Sequence, residues 1–346
     1  MDTNPSDLPV ITHRQPGADW LQASREEALE PQQRIIDAHH HFSKHWGGYL
    51  PKDLLNDFQG HRVEATVYVQ CGWRCRESGP DALKPVGETE AVVSIAAEAN
   101  RRQAHTRVAA AIVGHADLRL GAAVDEVLTA LVSAGQGRLR GIRNSGAFHD
   151  SFRHGVLPRP IRNLYGDPSF RAGYARLAHH GLSFDAWIYH PQLQEVFDLA
   201  CAHPEVPLIL DHIGGVLGVA EYQGLPDRSR REWLPWMKQL AGCPNVSVKL
   251  GGLGTAVFGH DFAAQPTPPS SRQIADAWRP WFEPVIELFG AQRCMFESNF
   301  PVDRSVAGYG VVWNAFKRLA ADASEDEKSS LFAGTASRIY RIPLLG

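Results

Sequence analysis

The stretch Ile35-Ile36-Asp37-Ala38-His39-His40-His41-Phe42 decides how the rest of the chain is read. Two isoleucines open it as a buried strand would, and its polar residues gather at the C-terminal end. Side chains alternate faces along a strand, so His39 and His41 point one way and His40 the other. Two imidazoles side by side at the end of a buried strand make half of a metal site, or a cationic clamp for an anionic substrate. A tag would be a longer, purely histidine run at a terminus, and this run is neither.

Seven further apolar, β-branched runs follow, at 65–71, 108–114, 139–143, 182–188, 206–211, 246–250 and 294–298. Each is short and almost continuously hydrophobic, as a strand buried on both faces must be. Between them lie amphipathic stretches of helical period: Asp53 to Phe58, Thr89 to Arg101, Ala122 to Val132, Ser169 to His180, Pro191 to Ala202, Arg231 to Leu240, Arg272 to Phe289 and Tyr309 to Leu319. The fourth has Pro168 at its start and Gly181 at its exit, the usual asymmetry of a helix. Eight strands alternating with eight helices predict a closed parallel (β/α)8 TIM barrel over residues 34–346. An open doubly wound sheet is the alternative. It would carry a Gly-rich loop after its first strand, where this chain has histidines, and no GxGxxG or GxxxxGK[ST] occurs.

Residues 1–33, with Pro5, Pro9, Pro16 and Pro31, read as an N-terminal extension, partly ordered at best, with one short helix within Ala18 to Leu29. The longest expected loops, 73–88, 145–167, 213–228 and 253–271, all follow strands. That is the face on which barrel enzymes keep their active sites.

The chain of 346 residues is long enough for such a barrel, which takes about 250. Basic and acidic residues number 35 and 38 and are interspersed, so no stripe points to nucleic acid. No run of 18 apolar residues points to a membrane span, and the first residues lack a basic-then-apolar signal. Cys71, Cys75, Cys201, Cys243 and Cys294 are odd in number and scattered, which suits reduced thiols of a cytoplasmic enzyme. A small-molecule substrate is the expected partner, and a homo-oligomer is compatible with the composition.

Polar residues at strand ends can converge on a barrel's C-terminal rim. Asp211-His212 closes the sixth run, a charged pair that needs a partner or a task. Arg143 ends the fourth with a guanidinium fork suited to a carboxylate, or to an internal ion pair. Asp185 lies within the fifth, a salt-bridge partner for Arg143 or a catalytic group, with Tyr189 and His190 beyond it as candidate substrate contacts. Lys249, on the seventh, reads as structural. The last run delivers Glu297, Asn299 and Asp303.

Taken in order, IDAHHH, GIR after residue 140, DHIGG and MFESNFPVD resemble the amidohydrolase superfamily. More narrowly they resemble its amidohydrolase-related branch of sugar-lactone and pyrone-dicarboxylate lactonases, from about Arg34 to about Tyr340. The resemblance implies a TIM barrel that hydrolyses an ester, lactone or amide. It also implies His39, His41 and His212 as rim histidines holding a divalent metal, zinc or manganese, and Arg143 as a substrate-binding arginine. Asn299 stands where the superfamily usually has a metal-binding, proton-transferring aspartate. An amide neither takes a proton at neutral pH nor binds a cation with full charge. Asp303, four residues on, is the nearest carboxylate that could act instead, with Glu297 pairing deeper with Arg143 or Lys249.

Two chemistries follow. Three imidazoles hold an ion that activates water, or His and Arg donors stabilise an oxyanion while a carboxylate takes the proton. The expected substrate is a small carboxylated lactone or ester, since Arg143 is followed by Arg153, Arg159 and Arg162 in the next loop. A metal-dependent decarboxylase and a catalytically silent ligand-binding barrel are the alternatives.

Overall fold

The computed structural model of the chain describes residues 8–12, 14–43, 48–58, 60–102, 105–154 and 160–344. Arg159 therefore lies outside the described residues. Eight strands run in sequence order around one parallel sheet: β1 (Arg34–His40), β2 (Arg62–Val69), β3 (Arg107–Gly114), β4 (Leu139–Arg143), β5 (Ser183–Ala186), β6 (Leu208–Leu210), β7 (Val246–Leu250) and β8 (Cys294–Phe296). The ring is joined where the chain beyond β8 returns to β1. There the Asn299 N–H donates to His39 O at 2.9 Å and the His41 N–H to Phe300 O at 2.7 Å. The α/β barrel expected from the alternating pattern is the architecture found.

Helices α1 (Pro51–Asp57), α2 (Val86–Arg102), α3 (Val124–Ala134), α4 (Pro168–His179), α5 (Leu193–Ala202), α6 (Pro226–Ala241), α7 (Ser271–Phe289) and α8 (Tyr309–Leu319) follow the strands in turn. Helix α4 starts as its sequence directs: Pro168 needs no N–H partner in the first turn, and the Asp167 carboxylate accepts from Phe170 N at 2.9 Å. Apolar side chains such as Phe184, Trp278 and Phe316 fill the layer between strands and helices. A second, smaller cluster fills the lower barrel with Ile36, Ala38, Val67, Val113, Ile209 and Met295.

The floor of that cluster is a segment that the sequence reading left out. Ala333 and Ala336, from a broken run of short helices between Glu325 and Ile339, plug the barrel from below with Tyr340 and Ile342 just after it. None of these helices exceeds five residues, so none shows a readable period.

The N-terminal extension is more tied down than expected. Its helix is only Ala18–Gln22, but Val10–Ile11 pairs in parallel with Arg153–His154 in the loop after β4. Trp20 Nε1 donates to Gln265 O at 2.9 Å, and Asn314 of α8 bonds both Glu26 and Leu29. Among the described residues no helix is long and apolar enough to cross a membrane.

Candidate active site

The upper third of the barrel holds charge where a barrel usually holds aliphatic side chains. Asp185 from β5, Asp211 just past β6, Lys249 from β7 and Glu297 just past β8 are fully buried, with His39 and Arg143 beside them. Lys249 Nζ lies 2.6 Å from Asp185 and 3.1 Å from Asp211. Burial works against the ammonium, but these carboxylates and Glu297 override it and hold its pKa at about 12. Tyr340 reaches Asp185 from the floor at 2.8 Å. Asp185 is thus the partner of Lys249, not of Arg143 as its strand position suggested. Arg143 reaches past it to Asp211 at 3.4 Å and also donates to Gln70 O.

His39 is the hub. Its Nε2 lies 3.2 Å from His41 Nε2 and 3.3 Å from Arg143, and its Nδ1 lies 2.9 Å from Glu297 and 3.2 Å from Lys249. Burial first, then the Lys249 charge, lowers its pKa against the opposing pull of Glu297 and Asp211. His40 points the other way, to Thr66 Oγ1 at 2.8 Å and the rings of Phe42 and Tyr68. Strict alternation from Ile36 and Ala38, which face the barrel core, would turn His39 outward. A register shift between Asp37 and His40 against β2 turns it in.

The His212 ring lies against His39, with centroids 4.8 Å apart and planes tilted by 36°, and its Nδ1 lies 2.5 Å from Glu297 Oε1. Burial disfavours its charge, but Glu297 and then Asp211 raise its pKa overall. Burial likewise pushes Glu297 up, and His212 and His39 more than reverse this, to about 2. Glu297 therefore pairs with the two histidines, and neither Arg143 nor Lys249 is its hydrogen-bond partner.

His212 and Ile213 adopt φ of 52° and 50°, left-handed values that few non-glycine residues hold. The surroundings impose this geometry. A Cβ at Gly252 would lie 2.1 Å from His212 Nδ1, and one at Gly251 would lie 2.3 Å from Glu297 O. The Gly251-Gly252 pair after β7 is thus the seat on which the His212–Glu297 pair rests.

Beside it, Asn299 Nδ2 donates to Asp303 Oδ1 at 2.8 Å, and Gly254 N donates to Asp303 Oδ2 at 3.2 Å. Burial pushes the Asp303 carboxyl up to about 7, against the smaller opposing pull of the His212 charge and the Asn299 bond. The asparagine does not take over the role of an acid; it orients the acid that follows it.

Three carboxylates (Asp185, Asp211, Glu297) against two permanent cations (Lys249, Arg143) leave one negative charge, which a proton on His212 would balance. A cation could balance it too. His39, His212 and Glu297 offer ligand atoms within 4.8 Å of one another, and two imidazoles with a carboxylate are a recognised zinc donor set. The residues fit such an ion, although Lys249 beside His39 Nδ1 weakens its hold.

The expected set was His39, His41 and His212, and two of these three belong to this group. His41 engages the opposite edge of His39, and its own Nδ1 lies 2.7 Å from Val69 O. Glu297 joins His39 and His212 among the convergent donors. Two expected substrate contacts also have other partners. His190 is fully buried, accepts from Leu217 N at 3.1 Å and packs on Tyr222. Tyr189 lies between Phe152 and Trp187, and Trp187 in turn packs on His212. Lys249, Asp211 and the glycine pair were visible as polar or glycine residues at strand ends, but nothing in one dimension pairs them.

The sequence pattern of the amidohydrolase family matches residues 36–342. The chain belongs to that family. It is 32% identical over 298 residues to an uncharacterized protein of Sinorhizobium fredii, covering 85% of this chain and 86% of that one. It is 28% identical to the L-fucono-1,5-lactonase of Burkholderia multivorans, covering 89% and 96%. An amidohydrolase of Burkholderia multivorans, solved with bound zinc, superimposes with a TM-score of 0.66 at 25% identity, covering 89% of this chain and 99% of that one. The chain is an amidohydrolase-related enzyme, and its rim cluster lies where such enzymes work.

Proposed function

We propose that this amidohydrolase opens a small lactone by water attack, with Asp303 as general base and His212 facing the carbonyl. The observation that carries this reading is a buried carboxyl at about 7, oriented by Asn299 and Gly254 near an imidazole whose pKa Glu297 and Asp211 raise. A base titrating near the working pH is best matched to its task. Asp303 takes a proton from water as the oxygen adds to the carbonyl carbon. Where a proton and not an ion balances the cluster, the His212 N–H opposes the negative charge that develops on the carbonyl oxygen. The bond to the ring oxygen then breaks, and that oxygen receives the proton from Asp303, giving a hydroxy acid.

His39, His212 and Glu297 are the residues that would hold a divalent metal, with zinc or manganese the proposed ion. When bound, the metal supplies Lewis-acid polarisation of the carbonyl and a more acidic water. The L-fucono-1,5-lactonase relative supports a lactone as the substrate. Arg143 is already committed to Asp211, His39 and Gln70, so it gives no support to a substrate carboxylate. Five free cysteines support the cytoplasm as the enzyme's location.

A lactone panel read with a pH indicator, on protein of measured metal content, tests the proposal. Acid release from at least one lactone is expected. Its absence across the panel, or carbon dioxide release from aromatic acids in its stead, would refute the lactonase reading.

A further inference from the structure

Cys201 and Cys243 lie with their sulfurs 3.8 Å apart, in contact but well beyond the roughly 2.05 Å of a disulfide bond. Cys201 is the last residue but one of α5, and Cys243 follows α6 after Gly242. Both sit at helix ends that lead into strands β6 and β7, at the end of the barrel opposite the rim cluster. Cys71 and Cys294 are buried and turn their thiols to main-chain carbonyls, of Phe42 and Val285 respectively.

Two side chains hold the backbone around the pair. Asn245 Nδ2 lies 3.2 Å from Ala200 O, 3.3 Å from His203 O and 3.2 Å from Val206 O, which ties the turn after Cys243 to the segment that carries Cys201. The Arg293 guanidinium donates to Cys243 O at 3.0 Å and to Ala241 O at 2.9 Å. The two thiols, 42 residues apart in sequence, are thus kept in contact by a frame of hydrogen bonds. Reactants held in this way gain the equivalent of a very high local concentration.

The two thiols are not equivalent. Cys201 is exposed, whereas Cys243 is buried. Burial pushes the Cys243 thiol up to about 11, the Cys201 thiol adds to this, and the Arg293 charge opposes it. A reagent from solution therefore meets Cys201 first, with Cys243 directly behind it. An exposed thiol backed by a buried one is the arrangement of an attacking and a resolving cysteine.

We infer that Cys201 and Cys243 are a reversible redox pair, oxidised by a small-molecule disulfide to an intramolecular disulfide that fastens α5 to the turn before β7. The Cys201 thiolate attacks one sulfur of the oxidant, forms a mixed disulfide and releases the other half as a thiolate. Cys243 gives up its proton, attacks the Cys201 sulfur and releases the second half. The protein loses two protons and two electrons, which convert the oxidant into two thiols. Excess thiol runs the exchange backwards, so the pair is reduced in a reducing compartment. The inference is independent of the lactonase reading.

The test uses the full-length protein, reduced, freed of reductant and incubated in its folded state with glutathione disulfide. Titration after denaturation should show the loss of two of the five thiols. The intact mass should fall by two hydrogens with no glutathione retained, and a peptide map should join Cys201 to Cys243. Cys243→Ser removes the resolving thiol and should keep one glutathione on Cys201. The crosslink closes a long loop, so the oxidised protein should unfold at a higher temperature than the reduced one. Dithiothreitol should reverse both the crosslink and the shift.

Survival of all five thiols, a crosslink between other cysteines, or wild-type protein that retains glutathione on Cys201 would overturn the redox pair. Crosslinked protein that unfolds at the same temperature as the reduced form, or at a lower one, would overturn the fastening.

Discussion

Replacing Asp303 with asparagine separates its chemical role from its structural one. In the wild type the carboxyl titrates at about 7 instead of the ordinary 3.8, chiefly because it is buried. Its neutral form is at home in the fold, and its charged form is not. The folded-state pKa is raised, so the stability that the protonated carboxyl contributes is fully present below pH 3.8 and is lost as pH rises through about 7. The shift of roughly three units corresponds to about 4 kcal/mol at pH 8.5, and to about 1.6 kcal/mol at pH 5. An asparagine keeps the Asn299 hydrogen bond but meets the Gly254 N–H with its own NH₂, which costs about 1 kcal/mol.

Asp303→Asn should therefore be the more stable protein at pH 8.5, by about 1–3 kcal/mol, with little or no advantage at pH 5. Denaturant melts at the two pH values measure this. Its kcat on a lactone that the wild type opens should fall at least about a hundredfold, the lower end for losing a general base, or about 2.7 kcal/mol of barrier. The acid limb of the wild-type kcat/KM profile, with a midpoint near 7, should vanish. Near-normal turnover in the variant, or an acid limb that persists near 7, would refute the assignment and send the search for the base to Asp185.

Purified protein should carry about one zinc or manganese per chain by elemental analysis, and Glu297→Gln should abolish it; activity that survives in protein shown to be metal-free would sink the metal site. Lys249→Met strands Asp185 and Asp211 in the barrel and should cost about 3–5 kcal/mol in a denaturant melt. A loss under 1 kcal/mol would mean that the carboxylates simply take up protons. Arg143→Met should act mainly on stability, by about 3–5 kcal/mol, because its partners Asp211 and Gln70 O are internal. A folded variant of normal stability with a greatly raised KM would restore it as a substrate clamp.

The order of elements was legible in the sequence because a strand buried on both faces must be apolar throughout and a covering helix must be apolar on one side. Those constraints act residue by residue along the chain. The same holds for His39 and His212, each of which interrupts or closes an apolar run, while Asn299 and Asp303 stood out through the family resemblance and the nearness of a carboxylate. Pairing was not legible. Asp185 sits opposite Arg143 in strand register, yet its charge partner is Lys249 from β7, because barrel interiors are filled across the axis and not along neighbouring strands.

The inward turn of His39 depends on one register shift, which alternation along β1 cannot reveal. Glu297 became a partner of two histidines only because Gly251 and Gly252 leave room for it. Asp303 reached its raised pKa by burial, a property of the packed structure that no spacing encodes. Sequence determined which residues could meet at the rim, since hydrophobic burial is a local demand. Tertiary structure alone decided which of them do meet, and in which charge state, since Coulomb energy and desolvation depend on distances that only the closed barrel sets.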